Sequence, residues 1–308
     1  MVNSTAQLSV EAHARAVRYI KEHARPVERA LYAFAFEDGS NDAVVTALTP
    51  YQREDGGFAL IEADFTSDTS SVLATIYALR LLCEVGSGEE FAARAMRYIV
   101  ESYDPHYKSW PIIPAHDNSA PHAPWWHYGA EFGKDWNFFL DNPRPEVLAY
   151  LYQCPSEVPT KLRESATREV ASRLPQLEKL AINEYQCYLR LAATDSIPAT
   201  LKVLLDQRLP ELAHSSIETD SSKWHQYCTR PLDVIHSPRS ILYADFQEQV
   251  EANLHFAIAQ QGEDGSWTPN WNWGETYPEA WREAKKQWQG VLTLEHLQIL
   301  RTFDCLPS

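Results

Sequence analysis

Three acidic side chains, Glu62, Asp64 and Asp68, lie close together in the segment IEADFTSDTS. Carboxyls in such company are pushed apart in pKa by burial and by one another, so that one stays protonated to act as a general acid while its neighbour is ionised. The segment runs directly into SSVLATIYALRLLC, a strongly apolar stretch, and the competing use of Asp64 or Asp68 is to cap the helix that begins there. Glu62 and Asp64 sit where there is no hydrophobic period, so neither is needed to bury a helix face. Asp68 precedes Thr69-Ser70-Ser71, hydroxyls that can cap the helix without it. Asp64, Asp68 and Glu62 are therefore the candidate catalytic groups, and the sequence leaves open which of the two aspartates is the acid.

A second constellation spans residues 104–145, a stretch holding seven of the nineteen prolines. It contains Trp110, His116, Asp117, His122, Trp125, Trp126, His127 and Trp136, and it leads into Asn142-Pro143-Arg144-Pro145-Glu146, which opens a helix. Proline fixes the backbone and the indoles present rigid π-faces, a combination suited to an apolar or cationic substrate. Asn142, His122 and Glu146 would be its polar anchors. The histidine spacings match no zinc signature or helix-face pair, so no metal or other cofactor is expected. The plainer alternative is a stiff, solvated loop whose histidines are satisfied locally. A third cluster, Trp267, Trp271, Trp273, Tyr277, Trp281 and Trp288, falls partly in TPNWNWGETYP, too polar and turn-rich for a core element. There Trp271 and Trp273 would line or gate a mouth. His225-x-x-Cys228 is a lone pair and reads as a core contact.

The elements that position these groups are helical. Val17, Ile20 and Ala24 recur at helical spacing, Pro26 begins a second helix, and Val44, Val45, Leu48 and Tyr51 form a stripe that ends at Asp55-Gly56-Gly57. The stretch SSVLATIYALRLLC is apolar all round, whereas GEEFAARAMRYIVESY keeps Phe91, Ala95, Tyr98 and Ile99 on one face. An inner, covered helix thus alternates with an outer, half-wet one. Phe246, Val250, Leu254 and Ile258 repeat the outer pattern and GVLTLEHLQILRTF the inner one. No segment alternates with the period of two that a half-buried strand requires. The expectation is an all-α chain forming a single domain over residues 1–308, with residues 157–210 helical and residues 104–145 and 214–245 irregular.

With 27 Lys and Arg against 42 Asp and Glu, the net charge is −15, which opposes the counterion release that drives nucleic-acid binding. No apolar stretch reaches the roughly 18 to 20 residues of a membrane-spanning helix, and no secretory leader pattern opens the sequence. Five scattered cysteines form neither a disulfide framework nor a Cys-x-x-Cys knuckle and read as reduced core residues. A cytoplasmic protein is expected. Two Met stand against ten Trp and fifteen Tyr, more rigid aromatic area than a helical core of this length needs.

The segments YQREDGGF and QQGEDGSW share Gln-x-x-x-Gly-x-aromatic, through Gln52, Gly56 and Phe58 and through Gln261, Gly265 and Trp267. Each ends an outer helix and precedes an inner one, so the repeat unit is a helical hairpin. The glycine would reverse the chain, the Gln amide would satisfy free carbonyls at the helix end, and the ring would seal the joint. The pattern resembles the QW repeat of the superfamily of terpenoid cyclases and protein prenyltransferase β-subunits. Ser71, Leu73-Ala74-Thr75, Tyr77-Ala78 and Leu82-Cys83 are also similar to the repeat helix of those prenyltransferases. ALTPYQREDGGF, IEADFTSDTSSVLAT, APHAPWW and QGEDGSWTPNW together look like the stand-alone bacterial proteins of that superfamily.

The resemblance implies an (α/α)6 toroid of about six helical hairpins around a central cavity. In cyclases of this superfamily that protonate an alkene, the motif is Asp-x-Asp-Asp-Thr with the middle Asp as the acid. Matching Asp68-Thr69 to its end puts Ser67 at the acid position; matching the Asp-x-Asp-Thr-Thr variant makes Asp68 the acid and Thr66 the leading residue. No Asp-Asp-x-x-Asp or phosphate-cradling loop is present, and the Asp, Cys and His that hold zinc in protein prenyltransferases have no counterparts. The functional expectation is a terpenoid cyclase-like or isomerase-like enzyme acting on a small apolar substrate. A carbohydrate-active helical toroid with paired carboxylates and a non-catalytic binder of a hydrophobic ligand are the alternatives.

Overall fold

The computed structural model describes residues 5–114, 118–128 and 140–307. Among them are eleven α-helices, short 3-10 turns in some of the connections and no β-strand, and extended backbone pairs only in isolated bridges. The all-α expectation holds. No helix among the described residues is long and apolar enough to cross a membrane. The chain divides into two compact units, residues 1–47 with 216–308, and residues 48–215.

The first unit contains α1 (Val10–His23), α2 (Pro26–Phe36), most of α3 (Asn41–Leu48), α10 (Gln247–Ala259) and α11 (Pro278–Thr302). Ser9 caps α1 by accepting from the Ala12 N–H at 3.1 Å, and Pro26 opens α2 as the sequence indicates. α1, α2 and α11 pack on one another. α11 starts well before its apolar run. Pro278 sets the first turn, and the polar half that follows is supported by i,i+3 pairs, Glu279 with Arg282 and Glu283 with Lys286. Between Ser216 and α10 the backbone is irregular apart from two short turns, Ser221–Lys223 and Pro231–Asp233.

The second unit contains α4 (Val72–Val85), α5 (Glu89–Glu101), α6 (Arg144–Gln153), α7 (Thr160–Arg173), α8 (Ile182–Ala192) and α9 (Ala199–Ser216, ending in the first unit). α4 buries residues around its whole girth, whereas α5 buries Ala95, Met96 and Ile99 on one side, the alternation of covered and half-wet helices read from the sequence. α6 is the centre: it packs on α4, α5, α7 and α8, and every residue from Arg144 to Leu151 is buried. Of the five cysteines, all free, Cys187 and Cys305 are buried, while Cys83 is exposed, unlike the core placement expected.

Each unit carries one copy of the glutamine–glycine turn, built from the same bonds. Gln52 Nε2 donates to Gly56 O and to Phe91 O in the first turn of α5, both at 3.0 Å. Gln261 Nε2 donates to Gly265 O at 3.0 Å and to Ala12 O in the first turn of α1 at 2.9 Å. The amide thus tethers a neighbouring helix by its start, rather than satisfying carbonyls at the end of its own helix. The glycines are obligatory on two counts. Their φ angles are +89° and +91°, and a Cβ would lie 2.5 Å from the carbonyl oxygen of Arg94 or of Arg15. The following aromatic residues, Phe58 and Trp267, donate their N–H to Thr75 Oγ1 on α4 (2.9 Å) and Thr293 Oγ1 on α11 (3.1 Å).

Candidate functional site

The loop that enters α4 is pinned to a second loop, residues 118–128. Ala123 N–H donates to Asp64 O at 2.8 Å, Thr66 N–H and Oγ1–H both donate to Pro121 O, and Phe65 forms a bridge with His122. Glu62 and Asp64 are both buried, and Glu62 Oε1 accepts the Asp64 N–H at 3.1 Å. His122 is 1% exposed and lies 6.3 Å, ring to ring, from Phe65. Its Nδ1 is 2.6 Å from Ala120 O, which makes that nitrogen the donor, and its Nε2 stands 3.1 Å from Nδ1 of His127. The two imidazoles stack at 5.3 Å, and His127 is exposed. Glu62, Asp64 and His122 are thus brought together on two paired loops, with a ring-to-ring link from a buried histidine to solvent.

Asp68 stands apart from this group. Its side chain is 83% exposed and forms an ion pair with Arg53, which also donates to the Asp68 carbonyl oxygen. The cap of α4 is Ser71, whose Oγ accepts the Ala74 N–H at 3.0 Å, so neither Asp64 nor Asp68 is spent on capping. Thr66, the residue in the leading position of the motif variant, is occupied by its bonds to Pro121.

Glu146 is the hub of a different network. Its carboxylate is 1% exposed and receives Arg80 from α4 through Nε and Nη2, Arg190 from α8 through Nη1 at 3.2 Å, and the Tyr150 hydroxyl at 2.8 Å. The Cys187 thiol is 3.6 Å away and also approaches Asn142 Oδ1 at 3.6 Å. Burial alone would raise the Glu146 pKa; the two guanidiniums and the hydrogen bonds outweigh it and hold the carboxyl below its ordinary value. Burial pushes the Cys187 thiol well up. With its lone pairs committed to protein donors, Glu146 has none to spare for a substrate; it ties α4, α6 and α8 together. Asp141 plays a similar part nearby, accepting from Arg173 and from the Tyr188 hydroxyl.

The tryptophans divide. Trp110 is fully buried and donates to Ile99 O at 2.7 Å, a core role. Trp125 is 38% exposed, while Trp126 beside it is buried with an indole N–H that meets no acceptor. In the first unit Trp273 is fully buried against Trp281, and Trp267 donates to Ala257 O as the seal of its turn. Trp271 lines a cavity of about 290 Å³ between α10, α11 and the irregular segment that precedes α10. His116, Asp117 and Trp136 lie outside the described residues. Among the described residues no three His, Cys, Asp or Glu side chains gather in a way that could hold a metal ion.

Arg80 and Arg190 escaped the sequence reading, although a signal for the first was present: a lone arginine in a helix apolar all round needs a carboxylate partner. Asn253 and His296, which line the cavity with Trp271, carried no comparable mark. Comparison of the chain with known protein families, with curated proteins and with solved structures finds no match.

Proposed function

We propose that the chain is an acid-initiated isoprenoid cyclase or isomerase, folded as an (α/α)6 toroid, with Asp64 as its proton donor. The observation that carries the proposal is the placement of Asp64: a buried carboxyl on the loop entering the most apolar helix of its unit, fixed at its N–H by Glu62 and at its C=O by Ala123. The matched glutamine–glycine turns support the kinship from which the substrate class is drawn. In the reaction the Asp64 carboxylic acid gives its proton to one carbon of a terminal alkene or to an epoxide oxygen. The cation left behind is attacked by the next double bond, closing a ring, and loss of a proton from a neighbouring carbon restores an alkene. Substrate and product have the same composition. Phe65 and Trp126, on the paired loops, offer π-faces to the cation. The same reading makes the partner a small apolar molecule, uses no cofactor and places the protein in the cytoplasm, in keeping with five free cysteines.

A carbohydrate-active enzyme is less well supported. Its two carboxyls must flank the scissile bond from opposite sides, about 5 to 9.5 Å apart. Here Glu62 and Asp64 share one loop, the first bonded to the backbone of the second. The test is incubation of the purified protein with linear isoprenoids of monoterpenoid to triterpenoid length and with their epoxides. A cyclised product of unchanged mass is expected, with Asp64→Asn abolishing turnover at a stability cost below ~1 kcal/mol and Asp68→Asn remaining active. No turnover on any of these substrates refutes the proposal. An Asp64→Asn protein that is strongly destabilised yet fully active per folded molecule makes Asp64 structural.

A further inference from the structure

The cavity that Trp271 lines is assembled wholly from the first unit and contains none of Glu62, Asp64 or His122. Its volume, about 290 Å³, has room for about ten groups the size of a water molecule, the low end of the range for small-ligand sites. Its walls are rings: Trp224, His225, Phe256, Trp267, Trp271 and His296. They are held by one another. Trp224 and His225 both meet Phe256 edge-on at 5.5 and 5.0 Å, Trp267 stacks on His296 at 4.9 Å and 11°, and Trp271 stands edge-on to Trp288 at 5.1 Å.

Three polar atoms on these walls lack protein partners. The Trp271 indole N–H is enclosed and meets no acceptor. Asn253 is 2% exposed; its Oδ1 accepts the Leu232 N–H at 3.0 Å, which orients the amide, and its Nδ2 donates to nothing in the protein. His296 donates Nδ1–H to Leu292 O at 2.7 Å, so its Nε2 carries a lone pair that no protein donor fills. Enclosure among its neighbours takes the His296 pKa down to about 4, so the ring is neutral at physiological pH and remains an acceptor. Of the charged residues on the rim, Arg230 is matched by Asp233, and Glu295 is exposed. Of the three unpartnered polar atoms, the Trp271 N–H is the one shut off from water, and an enclosed donor without a partner costs free energy that a ligand acceptor recovers.

We propose that this cavity binds a neutral, planar heteroaromatic molecule whose edge offers an acceptor to Trp271 Nε1–H and Asn253 Nδ2–H and a donor to His296 Nε2, as the amide edge of a fused-ring lactam does. The rings supply stacking area, and the carboxylates on the lining, Asp233 and Glu295, select against an anionic ligand. The site stands independently of the isoprenoid reading, since it shares no residue with the acid loop.

The test is isothermal titration calorimetry on the full chain with quinolin-2-one, with naphthalene as a ring pair of similar size lacking the polar edge, and with 1-naphthoate as the same ring pair bearing a carboxylate. Quinolin-2-one is expected to bind at least tenfold more tightly than either. Trp271→Phe keeps a ring and deletes the N–H, and should weaken quinolin-2-one about fivefold while leaving naphthalene unchanged. Thr268→Trp, at an exposed position on the wall, should fill the cavity and abolish binding of both, and serves where Trp271→Phe does not fold. Three results overturn the proposal: no binding of quinolin-2-one, equal affinity for the lactam and naphthalene, or binding unaltered by both variants.

Discussion

Replacing Glu146 by glutamine should destabilise the protein by about 3 kcal/mol at neutral pH, and the size follows from what the carboxylate holds. Removing one partner of a buried ion pair costs about 3–5 kcal/mol because the other charge stays behind unmatched. Here two guanidiniums are left, but Arg80 and Arg190 keep 32% and 27% of their side-chain surface exposed, so water recovers part of the loss and the estimate falls to the low end. Glutamine conserves shape and can still accept from Tyr150, but its amide N–H₂ would face a guanidinium, a donor against a donor. The pH dependence separates charge from shape. Because the folded Glu146 pKa lies below its ordinary 4.5, its contribution is fully present above that pH and is lost as pH falls through the lower folded value. The gap between wild type and Glu146→Gln should therefore hold constant from pH 8 to 6 and narrow below 4.5. Urea unfolding followed by far-ultraviolet circular dichroism reads both, with an unchanged m-value as the check that the unfolded state is the same. A gap under ~0.5 kcal/mol at pH 7, or one that widens on acidification, would refute the assignment of Glu146 as an ionised hub.

The glycine turns give a sharper contrast. Gly56→Ala and Gly265→Ala should each cost about 3 kcal/mol or more, since strain at positive φ adds to backbone contact at 2.5 Å. Gly86→Ala, at φ +62° but facing open space, should cost only about 1 kcal/mol; equal midpoints for the three in thermal unfolding would show that close approach is not what these turns require. Arg144, 2% exposed, has an Nε with no partner, and burial lowers its pKa. Arg144→Met should be neutral or raise stability by about 1 kcal/mol in urea, and a loss above that would reveal a partner for the guanidinium. Asp68→Asn, at an exposed ion pair, should shift stability by less than ~1 kcal/mol, falling further in high salt.

What was legible in the sequence was whatever a period or a punctuation mark could encode. The apolar girth of α4, the one-sided stripe of α5 and the glutamine–glycine turns are local patterns, and their geometry follows them closely. α11 shows where such reading stops: its first half is held by Glu279–Arg282 and Glu283–Lys286 pairs and a leading proline, so no hydrophobic period announces it. The hydroxyl run after Asp68 can supply the cap, but only the structure singles out Ser71, because an N-cap is chosen by backbone angles that three adjacent candidates cannot reveal.

The candidate site was legible in its residue types and not in their partners. Glu146 has the look of a polar anchor because it follows Asn-Pro-Arg-Pro at the opening of a helix. Its function as a hub is set by Arg80 and Arg190, sixty-six residues before it and forty-four after it, a coincidence of packing that no window along the chain contains. The same holds for Trp271, in the irregular segment between α10 and α11, whose indole N–H acquires meaning only beside Asn253 and His296 on those two helices. Polar groups in this protein therefore sort by what meets them: Glu146 and Asp141 are saturated by protein donors and act as structure. Trp271, Asn253 and His296 are held in fixed orientations with one polar atom each left over. Of these the enclosed Trp271 N–H is a cost to the folded state that packing alone does not repay, and a ligand acceptor is the ordinary physical means of recovering it.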